Sequence, residues 1–246
     1  VMVFLLDQLP PPTPADVASR VARQPMDAAA RWAFMRRFGS GLLLLLALHL
    51  LLNAYRDFRD NYGREILTAL GYAQMQLAFT RTEVPIAFAV MLALAGINVF
   101  RNNRIGLAAS FVMIAIGLAL MGGATLAWQT GRLNGLMWML AVGLGSYLAY
   151  VPFHSVLFER LIAATGATGT AVFAIALADA TGYTGSVAIQ LYKDLMNVGQ
   201  TRLDFFVALT LWLSVSGLVV LIGAWICLRG NSRAPERCGA QQQSKL

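Results

Sequence analysis

Six stretches of this chain stay apolar for about 17 residues or more, the length at which a helix crosses a hydrocarbon core. They run from Phe38 to about Arg64, about Val84 to Phe100, Ile105 to Trp128, Asn134 to about Phe158, about Thr168 to Tyr192, and Phe205 to Leu228. Inside a bilayer every backbone N–H and C=O must be satisfied within the segment, so such stretches fold as helices. The expected fold class is all-α: a polytopic membrane protein with a six-transmembrane-helix bundle over residues 38–228. Composition points the same way. Of the 246 residues, 58% are hydrophobic and 13% charged, against about 45–50% and 25% in soluble domains.

The flanks differ from the bundle. Residues 1–37 read as the end of a preceding helix, Val1 to Leu6, followed by a polar cytoplasmic connector. The run Leu9-Pro-Pro-Pro-Thr-Pro14 excludes a helix there, because proline lacks the donor and clashes with the preceding turn. Asp16 to Arg37 is rich in Ala and Arg and has two readings, an amphipathic helix on the membrane surface or a plain linker helix. Residues 229–246 read as a disordered cytoplasmic tail.

The net charge is +7. The basic residues lie scattered between apolar runs, not clustered on one element, so no nucleic-acid partner is expected. With both termini cytoplasmic, 12 of the 19 Lys and Arg residues fall on the inner side and 7 on the outer, the bias expected of cytoplasmic loops. Cys227 and Cys238 both fall at or after the end of the last span, which argues against a disulfide framework.

Polar residues within the spans are the informative ones. A charge at membrane depth costs about 2.5–3.5 kcal/mol on insertion scales, and such groups face a bundle interior or a wet cavity. In the first span His49, Asn53, Arg56, Asp60 and Arg64 share one helical face, with Leu51, Tyr55, Phe58 and Tyr62 opposite. That stripe suits a cavity-lining helix, in which Arg56, Asp60 and Arg64 can pair along the face. The competing reading ends the helix near Tyr55 and makes residues 56–65 a charged outer loop. In the fourth span Gly143, Tyr147, Tyr150 and His154 share a face. Gly143 and Gly145 permit close helix approach, and Pro152 predicts a kink. The tyrosines can also be read as an interfacial belt, and His154 as a packed neutral side chain. In the second span Thr82 is read as the helix cap, with Pro85 in the first turn. The fifth span carries Asp179 near its midpoint, with Gly182, Tyr183, Ser186 and Gln190 on the same face. Asp179 can carry a proton, or it can neutralise the Arg56 stripe as a structural ion pair.

Gly-x-Ser-x-Gly, His-Glu-x-x-His and Walker signatures do not occur in the sequence. His154 and Glu159 are five residues apart and fall on different helix faces. No catalytic residue, metal site or cofactor is expected, and the two histidines are too few for a histidine-rich metal centre.

Four motifs carry a family resemblance. The turn Gly96-Ile-Asn-Val-Phe-Arg-Asn-Asn-Arg104 matches the Gly-x-x-x-Asp-Arg-x-Gly-Arg signature of the major facilitator superfamily at Gly96, Arg101 and Arg104, with Phe100 in place of the acid and Asn103 in place of a glycine. The strings Tyr55-Arg-Asp-Phe-Arg-Asp-Asn61, Tyr150-Val-Pro-Phe-His-Ser-Val-Leu-Phe-Glu-Arg-Leu161 and Ala178-Asp-Ala-Thr-Gly-Tyr-Thr-Gly185 resemble an uncharacterised bacterial branch of that superfamily, a domain of unknown function. The resemblance covers nearly the whole chain and implies the C-terminal half of a secondary transporter in a bacterial inner membrane, working by alternating access. It implies a small solute as partner. Arginines in the comparable place clamp phosphate in the superfamily's organophosphate antiporters, so an anion is favoured. Arg56 and Arg59 are then the expected anion contacts, with His49, Asn53, Tyr147, Tyr150 and Tyr183 as polar lining. Asp60, Asp179 and His154 are expected to balance charge or carry protons. Gly96, Arg101 and Arg104 are expected to form a cytoplasmic gate turn. The bundle would then need a second half, from an N-terminal unit or a second copy. The alternative is a non-transporting receptor-like or assembly subunit that keeps the fold.

Overall fold

A computed structural model describes residues 26–72, 78–165, 169–196 and 201–231. Among these the structure is all helical, with no strand. Helix α1 spans Ala28–Ala69, α2 Ala78–Asn98, α3 Asn103–Gln129 and α4 Gly135–Pro152. A π-helical turn, π1, covers Phe153–Leu157 and leads into α5, Phe158–Thr165. Helix α6 is Ala171–Leu191, followed by a second π turn, Tyr192–Met196, and α7 is Arg202–Asn231. Helices α1, α3, α6, α7 and the continuous run Gly135–Thr165 are long and apolar enough to cross a membrane. The apolar part of α2, Glu83–Asn98, is shorter. The architecture is that of a polytopic membrane protein.

Local sequence explains where the helices begin and break. The Asp27 carboxylate accepts from the Ala30 N–H at 2.7 Å and caps α1. Asn102, Asn134 and Thr170 cap α3, α4 and α6 in the same way. Helix α1 is broken at Gly39, whose φ of 39° and ψ of −119° lie where only glycine rests without strain. The lead-in, 28–38, is not a free surface helix. Phe34 and Phe38 are buried, Phe34 meets Phe173 edge-on at 5.9 Å, and Arg37 Nη2 donates to the Thr165 carbonyl at 2.8 Å. The rest of the connector, residues 1–25, and the tail, 232–246, lie outside the described residues; Arg229–Asn231 still belong to α7.

Beyond Gly39, α1 is the centre of the bundle. It packs chiefly on α6 and α7, with α4 behind. The face carrying Tyr55 and Phe58 is therefore core and does not meet lipid. Tyr55 stacks on Phe206 at 5.0 Å and its hydroxyl pairs with Thr210 Oγ1 at 2.9 Å, so the phenol is satisfied where water is absent. The helix runs unbroken from Ser40 to Ala69, which removes the reading of 56–65 as a loop.

Two expectations need correction. Helix α2 starts at Ala78, so Thr82 is not its cap and Pro85 lies in its interior. Proline there forfeits one backbone bond, a loss that membrane helices tolerate when neighbours re-satisfy the carbonyl. Likewise Pro152 gives a π turn immediately after it, the local device by which α4 absorbs the ring without ending.

Small residues set the helix spacing. A Cβ on Gly117 would collide with the Gly145 carbonyl, and one on Gly145 would fall 2.6 Å from the Gly117 carbonyl. Helices α3 and α4 therefore touch backbone to backbone, as bilayer packing favours. Helix α6 buries only Ala174, Ala178, Gly182, Gly185 and Ser186, a ridge of small residues against α1. On α7, Trp212, Val215, Val219, Ile222 and Ile226 form an exposed apolar row at the 3–4 spacing of one helix face, the pattern of a lipid-facing surface.

Candidate functional site

Helices α1 and α6 bring ionisable groups to one face of α4 and of the π turn that continues it. Tyr147, Tyr150 and His154, spaced 3 and 4 apart, each meet a charged residue of a neighbouring helix. The Tyr147 hydroxyl donates to Asp60 Oδ2 at 3.4 Å, a weak bond. The Arg56 guanidinium lies over the Tyr150 ring, 4.2 Å from its centroid, a cation–π contact. His154 Nε2 and Asp179 Oδ1 are 2.6 Å apart. The first two partners come from α1 and the third from α6. The π turn carries His154, so the same backbone irregularity that accommodates Pro152 also sets where this imidazole stands.

His49 closes the group from the buried side. It is 0% exposed, and its ring packs on Tyr150, Phe153 and His154 at 5.3, 5.2 and 5.0 Å. Gly182 makes room for it: a Cβ there would approach His49 Cε1 to 3.0 Å and Nδ1 to 3.1 Å. Neither His49 ring nitrogen has a well-formed hydrogen bond among the described residues, although the Ala178 backbone lies nearby. An unmet buried polar group costs about 1–3 kcal/mol. One ligand-type atom from each of His49, His154 and Asp179 lies within 4.8 Å of the others.

Asn53, one turn along α1, donates to Ser186 Oγ at 2.8 Å and reaches Asp57 at 3.5 Å. Arg56 pairs with Asp57 at 2.7 Å. Pairing along the stripe through Asp60 and Arg64 is therefore replaced by pairing with the adjacent residue, because Asp57 lies on the side of α1 that faces Asn53. Asp179 and Arg56 do not form an ion pair with each other: Arg56 pairs with Asp57, and Asp179 meets His154. Arg59 is 0% exposed and turns toward α2 and α4: its Nη2 meets Glu83 Oε1 at 2.6 Å, its Nη1 reaches Asp60 at 3.4 Å, and it fills the space that Gly143 leaves open. Arg64 is exposed.

Tyr183 is 64% exposed and stands outside the cluster, on the open side of α6. The side chains of His154 and Asp179 are 27% and 38% exposed on the same side. The gate-turn residues lie apart from this site. Arg101 and Arg104 are exposed, and a Cβ on Gly96 would meet nothing. In that region Arg160 Nη1 donates to Asn103 Oδ1 at 2.8 Å, beside a cavity of about 410 Å³.

Sequence reasoning did not assign roles to Asp57, Glu83 or Phe153. Asp57 follows Asn53 by four residues, a signal that was available on the helix face. Glu83 and Phe153 gave none, because their relevance depends on which helix they face.

The fold and this cluster define the class: an all-helical polytopic membrane protein with a polar site shared by α1, α4 and α6. A sequence-family model described as a family of unknown function, DUF5690, matches residues 1–230, and the chain belongs to that family. No curated protein and no solved structure matches the chain.

Proposed function

We propose that the chain is the C-terminal half of a secondary transporter of the major facilitator type, moving a small anionic solute by alternating access in a bacterial inner membrane with both termini cytoplasmic. We read it as a carrier and not an enzyme. One observation carries this reading: α4 and π1 meet Asp60, Arg56 and Asp179 in succession on a side where His154, Asp179 and Tyr183 remain open. Charges embedded among apolar helices persist where a wet interior receives them. An N-terminal half or a second copy facing this side would enclose a vestibule at the repeat interface, the place where such carriers bind solute. Arg56 is the anion contact, with its charge held in place by Asp57 and Tyr150. The family resemblance supports the same assignment.

The test is flux of radiolabelled organophosphates and inorganic phosphate into proteoliposomes. Arg56→Ala is expected to lower uptake about tenfold or more, the loss of one charge-assisted contact. Uptake equal to wild type would overturn the reading.

One observation favours the alternative of a non-transporting receptor-like or assembly subunit. Arg56 and Arg59 both already pair with carboxylates of their own chain, Asp57 and Glu83. Absence of flux for every anion, with the fold intact, would select that alternative.

A further inference from the structure

We infer that His49, His154 and Asp179 form a binding site for one divalent transition-metal ion of the zinc class. Three observations converge. First, the three side chains come from three different helices, and one ligand atom of each lies within 4.8 Å of the others. A tetrahedral centre with bonds near 2.1 Å holds its ligand atoms about 3.4 Å apart, so the widest pair must close by roughly 1.4 Å at most, while His154 Nε2 and Asp179 Oδ1, now 2.6 Å apart, must open by roughly 0.8 Å if both ligate. His154 and Asp179 are both partly open, and His154 is carried by a π turn, so the adjustment falls on these two side chains and not on the wholly buried His49.

Second, His49 is wholly buried and aimed into this cluster; neither ring nitrogen makes a well-formed hydrogen bond, and the Ala178 backbone can serve one of them, as the outer nitrogen of a metal-bound imidazole requires, leaving the other for a ligand. The fold also reserves space for the ring by placing glycine at 182. A bundle that merely needed filling here would be served by phenylalanine or leucine without the cost of an unmet polar ring. His154 Nδ1 is buried and without a partner among the described residues as well. A metal ion takes one nitrogen from each ring.

Third, the donor set is selective. Two imidazoles and one carboxylate suit Zn²⁺, Co²⁺, Ni²⁺ or Fe²⁺, not Mg²⁺ or Ca²⁺, which take oxygen cages. Three protein ligands leave a fourth position for water or a solute group. The nearby cation, Arg56, has its charge offset by Asp57 at 2.7 Å. Binding does not depend on the transport reading, and its test measures no flux.

The tag-free chain in detergent is titrated with Co²⁺ and followed by visible d–d absorption, then with Zn²⁺ and assayed for bound metal after dialysis. About one ion per chain is expected. Asp179→Asn and His154→Gln, at half-exposed positions, are each expected to weaken binding about tenfold or more while circular dichroism stays helical. Cys227→Ser removes a competing thiol and is expected to leave binding unchanged. Failure to bind Co²⁺ and Zn²⁺, equal binding in the Asp179 and His154 variants, or loss of binding in the Cys227 variant would each overturn the site.

Discussion

Arg59 shows how one buried charge is held. Its guanidinium has no exposure and meets Glu83 at 2.6 Å across the α1–α2 interface. Removing one partner of a buried pair leaves the other desolvated, a loss of about 3–5 kcal/mol when both are fully buried. Glu83 keeps some contact with solvent, so Glu83→Ala is expected to cost less, about 2–3 kcal/mol, and Glu83→Gln less still. Unfolding of the purified chain in mixed SDS micelles checks this, and a wild-type midpoint in both variants would show that the Arg59–Glu83 pair does not contribute to stability. The pair itself was not legible in the sequence. Residue 83 opens a different span, and nothing in the spacing of residues 56 to 64 says which helix Arg59 faces. The stripe was legible because helical periodicity alone collects His49, Asn53, Arg56 and Asp60 on one side.

At the scale of the elements, α4 makes two kinds of contact with two glycines. Gly145 lets α3 approach to backbone contact, while Gly143 admits the Arg59 side chain. The first contact is rigid on both sides, since a Cβ at 145 meets the Gly117 carbonyl at 2.6 Å. Gly145→Ala is therefore expected to push α3 and α4 apart and destabilise the chain by about 1–3 kcal/mol, read by the same SDS unfolding; an unchanged midpoint would mean that the helices can separate freely. The π turn after Pro152 belongs to this scale too. Proline foretold an irregularity, yet not that the helix would continue through a π turn and carry His154 on it.

For the whole molecule, the decisive feature is asymmetry. Helix α7 presents an apolar row, whereas the open side of α6 mixes Asp179 and Tyr183 with Val187 and Leu191. If that side faces a wet interior, Tyr183→Cys reacts with a membrane-impermeant, water-soluble maleimide and Val219→Cys does not, in a background with Cys227 and Cys238 changed to Ser. Equal protection of the two positions would place the α6 side in lipid and remove the vestibule. The family assignment and the helical membrane fold stand in either case.

The apolar runs alone determined the helical class, because hydrocarbon leaves a backbone no other way to satisfy its hydrogen bonds over such lengths. Periodicity determined which polar residues share a face on each helix. Only the tertiary structure decided which faces meet: that Arg56 lies over Tyr150, that Arg59 belongs to Glu83, and that His49 joins His154 and Asp179. Those choices depend on the rotation and spacing of packed helices, which glycines at 117, 145 and 182 set through contacts that one segment read alone does not contain.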